Sequence, residues 1–185
     1  KIVSLDVFSP GGGVADSDII AAINWVITQA KTLNIQSVNM SIGSKGTRYN
    51  ANCTGALAQP ISDLRAAGIV PLLAAGNDGY TNGLSYPACV SSAVSVGTVH
   101  DSNIGRKVFS GCTDSTTYSD RVACITNSNS ALKLLAPGVN IVAGGYTMSG
   151  SSMAAPHASG AVAVLRASNA FPNASVDEII NRLSH

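Results

Sequence analysis

The residues best equipped for chemistry lie near the C-terminal end. Ser152 follows Gly150-Ser151 and precedes Met153-Ala154-Ala155-Pro156-His157, then a run of small and apolar residues to about residue 168. Proline is tolerated in a helix only near its first turn, so a helix containing Pro156 must start close to Ser152. A helix that is apolar almost all round is buried between layers. A serine at its head is fixed in place and faces unpaired N–H groups and a positive partial charge. Both favour the oxyanion that forms when a hydroxyl attacks a carbonyl. The other reading is a plain N-cap serine, and helix position alone does not choose between them.

The remaining reactive side chains are few. Histidine occurs at 100, 157 and 185, with His100 beside Asp101. The four cysteines are Cys53, Cys89, Cys112 and Cys124. No close CxxC pair points to zinc. An even count in a chain poor in charge favours disulfides made in an oxidising compartment. Four cysteines allow three connectivities. Cys53–Cys89 with Cys112–Cys124 is favoured, because the second pair brackets one polar loop; four buried free thiols are the alternative.

Strands and helices must alternate to hold these residues. Residues 1–8 read as a strand broken at Gly11-Gly12-Gly13. Apolar residues at Ile19, Ile20, Ile23, Val26, Ile27, Ala30 and Leu33 make one helical face, with Asp16 or Ser17 as its N-cap. A short strand follows at 37–42. A second helix is expected over about 57–67, ending at Gly68. Residues 69–75 form an apolar strand in which Pro71 lacks a ladder donor, so a bulge or locally unpaired site is expected. Another strand spans 93–99. The polar stretch 100–130 has no period and reads as a long loop or inserted hairpin. Short strands at 132–136 and 140–143 flank Pro137-Gly138. The last helix starts near Ser175, where Glu178 three residues on completes a capping box.

This alternation predicts one α/β domain over 1–185, with a doubly wound, mainly parallel sheet flanked by helices. Ligands in such sheets bind beyond the carboxyl ends of the strands. Three strand ends carry the distinctive residues: Ser41-Ile42-Gly43, Ala75-Gly76-Asn77 and the segment before Ser152.

Composition narrows the function classes. Apolar residues make up 45 % and charged ones 11 % of the 185 residues, with net charge +1; about a quarter charged is usual. With no Lys/Arg cluster there is no electrostatic footprint for nucleic acid or an anionic membrane. No apolar run has the length of a membrane span. Secretion suits the low charge and the cysteines. The start lacks the layout of a signal peptide and reads as if the chain begins inside a fold.

Gly150-Ser151-Ser152-Met153-Ala154-Ala155-Pro156-His157 closely resembles the signature around the catalytic serine of the subtilase family of serine proteases, with Ser151 where that family usually has threonine. Ala74-Ala75-Gly76-Asn77-Asp78-Gly79 resembles its oxyanion-hole segment, which maps the asparagine onto Asn77. Asn39-Met40-Ser41-Ile42-Gly43 is similar to one wall of the S1 pocket, and Ala136-Pro137-Gly138-Val139 to a further family segment. The order of the four is also the family's. The resemblance implies peptide-bond hydrolysis through Ser152, with Asn77 and the Ser152 N–H binding the oxyanion. It places Ser41, Ile42, Gly43, Ala74, Ala75 and Gly76 along S1, and Gly11, Gly12 and Gly13 at the edge that pairs with substrate; ordinary turn chemistry is the alternative for those three glycines.

The same resemblance exposes what is absent. The family's Asp and His precede its serine, yet His100 stands in the wrong place and context, and His157 lies in the serine motif as a core or supporting residue. His185 is expected to fray. The chain thus reads as a domain truncated at its N-terminus and inactive alone, its partners being a peptide or protein substrate and the missing N-terminal part. Self-association through an open sheet edge is also expected. No cofactor is expected, and Lys133 stands where some relatives have a calcium-binding Asp, so calcium is not expected there. Two rivals stand beside this reading. An α/β-hydrolase esterase fits Gly150-x-Ser152-x-Ala154, but too little chain follows Ser152 for its acid and base. A non-catalytic pseudoprotease or interaction fragment is the other.

Overall fold

The computed structural model describes residues 1–168, 171 and 174–184. Helix α1 (Asp16–Leu33) leads to β1 (Ser37–Met40), α2 (Ala58–Ala66), β2 (Val70–Ala74) and β3 (Val94–Val99). Two short strands follow, β4 (Lys107–Val108) and β5 (Thr113–Asp114). Then come β6 (Leu134–Pro137), β7 (Ile141–Ala143), β8 (Tyr146–Met148), α3 (Ser151–Ala167) and α4 (Val176–Leu183).

The central sheet has the order β1-β2-β3-β6, and every pair is parallel. Strands β2 and β3 are buried throughout because both faces are covered there, whereas Asn39 of β1 and Leu135 of β6 are exposed. On one face Leu73 and Met40 pack with Ile19, Ile23 and Val26 of α1 and Ile61 and Leu64 of α2. On the other, Val70, Leu72, Val94, Val96 and Leu134 pack against Ala154, Ala155, Ala158 and Val162 of α3 and Ile179 of α4. Successive residues of β2 thus serve opposite layers. The α/β, doubly wound reading describes this arrangement.

Several local expectations change. Lys1 to Asp6 are exposed and join no ladder; only Phe8 forms a bridge, to Val14. A strand-like pattern becomes a strand only when a partner supplies hydrogen bonds. The N-cap of α1 is Ala15 with no side-chain cap, and Asp16 and Asp18 lie in the first turn instead, where a negative charge is favoured. Pro71 causes no bulge. It pairs with Val38 in an unbroken register. Val70 N–H donates to the Gln36 carbonyl on the β1 side, so the position of Pro71 that lacks a donor turns toward β3, whose pairing begins only at Leu72↔Val94. The proline sits where the ladder has not yet started.

The 100–130 region holds the small antiparallel hairpin β4–β5. Strand β7 leaves the main sheet and pairs with β8 around the Gly144-Gly145 turn. Both disulfides of the favoured connectivity form, Cys53–Cys89 and Cys112–Cys124. The capping box at Ser175 is present in full. His185 lies outside the described residues. No helix among the described residues is long and apolar enough to cross a membrane.

Candidate active site

The carboxyl ends of β1 and β2 lie side by side, with the start of α3 against them. Ser152 is the second residue of α3 and is half-buried. Its N–H belongs to the first turn, which has no preceding helical carbonyl to bond. Gly150 caps the helix at φ 147°. A Cβ there would lie 3.0 Å from the Asn77 Nδ2, so glycine serves both the backbone angle and the approach of Asn77.

Asn77 follows β2 on an exposed turn. Its Oδ1 accepts from the Ser151 N–H at 2.8 Å and the Ser151 hydroxyl at 3.0 Å. Those two donors settle which end of the amide is oxygen. Nδ2 is left as the outward donor and has no hydrogen-bond partner among the described residues. Ser151 Oγ also accepts from the Gly76 N–H at 3.2 Å. Fully buried Ser151 therefore joins Asn77 to the helix start.

The walls expected of a side-chain pocket flank this point. Ser41 and Ile42 are half-buried and Gly43 is exposed; Ala74 and Ala75 are buried and Gly76 is half-buried. Ser41 Oγ donates to the Ser152 carbonyl at 2.8 Å, which ties the end of β1 to the serine. The Ser44 N–H donates to the Tyr86 carbonyl, and the Ser85 N–H to the Ala75 carbonyl. The 85–86 turn thereby holds both walls. Burial pushes the Tyr86 phenol above its ordinary range; its hydroxyl oxygen accepts from the Leu57 N–H at 2.9 Å.

Other expected residues stand apart. Gly11, Gly12 and Gly13 close a turn of their own, with Ser9 N–H donating to the Gly13 carbonyl and Gly12 N–H to the Ser9 carbonyl. None of those bonds reaches Ser152 or Asn77. His157 is exposed rather than a core residue, and its Nδ1 donates to the Met153 carbonyl at 2.8 Å. His100 is 1 % exposed, and its Nε2 meets Asp114 Oδ2 at 2.9 Å. Among the described residues no histidine or carboxylate hydrogen-bonds the Ser152 hydroxyl. Nor do three His, Cys, Asp or Glu side chains gather there to hold a metal ion.

Two contributors escaped the sequence reading. Ser151 stood in it only as a mild variant of threonine. Asn127, inside the aperiodic stretch, is fully buried and accepts from the Asp78 N–H at 2.9 Å. No period or motif marked it, because a lone buried amide leaves no pattern in sequence.

Ser152 thus stands on the first turn of a helix that buries one face against the sheet, through Ala154, Ala155, Ala158 and Val162. The helix is not buried all round as its apolar sequence suggested, since Val164 is 70 % exposed. Beside Ser152 lies the Asn77 amide, at the end of a parallel strand of an α/β fold. The model of the Subtilase family matches residues 1–185. The chain is 32 % identical over its whole length to Subtilisin-like protease 5 of Arthroderma otae, covering 42 % of that protein. To Subtilisin DY of Bacillus licheniformis it is 31 % identical, again over its whole length and across 60 % of that protein. A crystal structure of a cold-adapted subtilisin-like serine proteinase superposes with TM-score 0.67 at 26 % identity, over 95 % of this chain and 56 % of that one. The chain belongs to the subtilase family, and it spans about half the length of the relatives it matches.

Proposed function

We propose that this chain supplies the nucleophile and oxyanion-binding part of a subtilisin-type serine endopeptidase, with the Asp and His supplied by chain outside these residues. The observation that carries the reading is the Asn77 amide. Its oxygen is occupied by Ser151, so its N–H₂ faces outward beside the helix start that bears Ser152. In the reaction Ser152 Oγ attacks the carbonyl carbon of the scissile peptide, and its proton passes to the histidine. The carbonyl oxygen takes the negative charge and is held by Asn77 Nδ2 and the Ser152 N–H. The C–N bond then breaks, and the leaving amine receives the proton. Water hydrolyses the resulting ester and returns Ser152. Loss of the asparagine donor costs about 10²–10³ in turnover, a magnitude established for subtilisin itself.

The walls at 41–43 and 74–76 are small, which suits a medium or large apolar side chain in S1. Two disulfides fit secretion. Intact, the source protein should label stoichiometrically at Ser152 with a fluorophosphonate, whereas residues 1–185 alone should label slowly or not at all, since an unassisted serine is a poor nucleophile. Full labelling of the isolated chain would overturn its inactivity. No labelling of the source protein would favour a non-catalytic role instead.

A further inference from the structure

We propose that Asn127 is a positioning residue for the oxyanion-binding asparagine. The inference rests on the reading of Asn77 above. Asn127 grips the chain on both sides of Asn77: its own N–H donates to the Gly76 carbonyl at 3.1 Å, and its Oδ1 accepts from the Asp78 N–H at 2.9 Å. The same oxygen accepts from the Tyr80 N–H at 3.2 Å. Its Nδ2 donates to Ser85 Oγ at 2.9 Å and to Asp78 Oδ2 at 3.3 Å. All four hydrogen-bonding positions of the amide are filled at a residue with 0 % exposure.

The grip is itself anchored. Thr126 Oγ1 accepts from the Thr98 N–H and donates to the Thr98 carbonyl, both at 3.0 Å. This fixes the segment to the end of β3. Gly79 N–H donates to the Ile125 carbonyl, and Ser128 N–H to the Tyr80 carbonyl. The 76–80 turn is thus clamped from below by 125–128 and from the side by Ser151. Gly76 makes this possible. It sits at φ 112°, and a Cβ there would lie 2.2 Å from Asn127 Nδ2 and 2.4 Å from Ser85 Oγ. Neighbouring groups also restrict which side chain serves at 127. An aspartate would set a second carboxylate against Asp78, and a glutamine would add a methylene where no space is left.

An oxyanion donor stabilises the transition state only if it is held where charge develops. Loosening Asn77 should therefore lower kcat and spare KM. The test is a double-mutant cycle in the full-length source protein. Asn127→Ala should lower kcat about tenfold or more with KM within twofold. In an Asn77→Ala background the same change should cost less than about threefold, because the group it positions is gone. Ser85→Ala, which removes one Asn127 contact, should show the same pattern at several-fold and serves if Asn127→Ala does not fold. Equal factors in both backgrounds, or a rise in KM at constant kcat, would overturn the proposal while leaving Asn77 in its role. If Asn77→Ala itself leaves kcat unchanged, the oxyanion reading falls and takes this inference with it.

Discussion

The parallel sheet and the 100–128 stretch hold themselves together by different means. The sheet is closed by aliphatic side chains: Leu72 and Leu73 are both 0 % exposed, and helices cover both faces. The 100–128 stretch offers only a small apolar cluster of Ala123 and Ile125 with Val139, while Ile104, Val108, Tyr118 and Val122 remain exposed. Its order comes from polar contacts and a covalent link. His100 pairs with Asp114, whose Oδ2 also accepts from the Cys124 N–H at 3.1 Å, and Cys112 bonds to Cys124. Non-directional packing tolerates exchange among apolar residues, whereas hydrogen bonds and a disulfide require particular partners.

Four measurements test that contrast. The largest loss is expected from Leu73→Ala, which opens a cavity between β2 and helices α1 and α2. Denaturant unfolding should fall by about 4 kcal/mol. Removing the second disulfide as Cys112→Ser/Cys124→Ser should cost about 3 kcal/mol, as loop-closure entropy gives for so short a loop. Hydrogen exchange should accelerate most in the 100–128 stretch, through its local opening, with the sheet amides still the last to exchange. Asp114→Ala leaves His100 Nε2 and the Cys124 N–H without their acceptor and should cost about 2 kcal/mol, with exchange accelerating in the same stretch. If either loop change lowers protection of β2 as much as Leu73→Ala does, the two regions form one cooperative unit and the contrast fails.

The smallest effect belongs to the surface of the sheet region, at the exposed start of α4. The Ser175 N–H, and next the Ser175 hydroxyl, hold the Glu178 carboxyl below its ordinary range. A lowered acid contributes stability above its unfolded value, about 4.3, and loses it as pH falls through the folded value. Thermal unfolding of Glu178→Gln should therefore be slightly reduced near neutral pH and converge on the parent at low pH. A difference that persists undiminished in acid would assign the effect to something other than this charge.

What could be read from sequence follows the same division. Apolar residues three and four apart announced α1, and apolar runs announced β2 and β3, because packing against a layer repeats with the period of the element. Ser152 and Asn77 were legible because each sits in a short contiguous motif at a strand or helix end. Residues 1–8 carried a strand's pattern but pair only at Phe8, which bridges to Val14, and pairing is decided by neighbours that a local pattern does not contain. Strand β8 was missed because its residues Tyr146 and Met148 are exposed, so no burial alternation marks it. Asn127 reaches Asp78 across 49 sequence positions. A single long-range amide contact has no period at all.

The absent side chain at Gly76 has a consequence for how this molecule can drift. The space it leaves is filled by Asn127 and Ser85, so the three positions constrain one another. A larger residue at 76 would meet that amide and would be strained at φ 112° even if the amide shrank. A lineage that shrinks the amide first passes through an ancestor with Asp78 and Tyr80 N–H groups unpaired. Glycine is therefore expected to persist at 76, while exchange at 85 and 127 is expected to occur in concert or not at all.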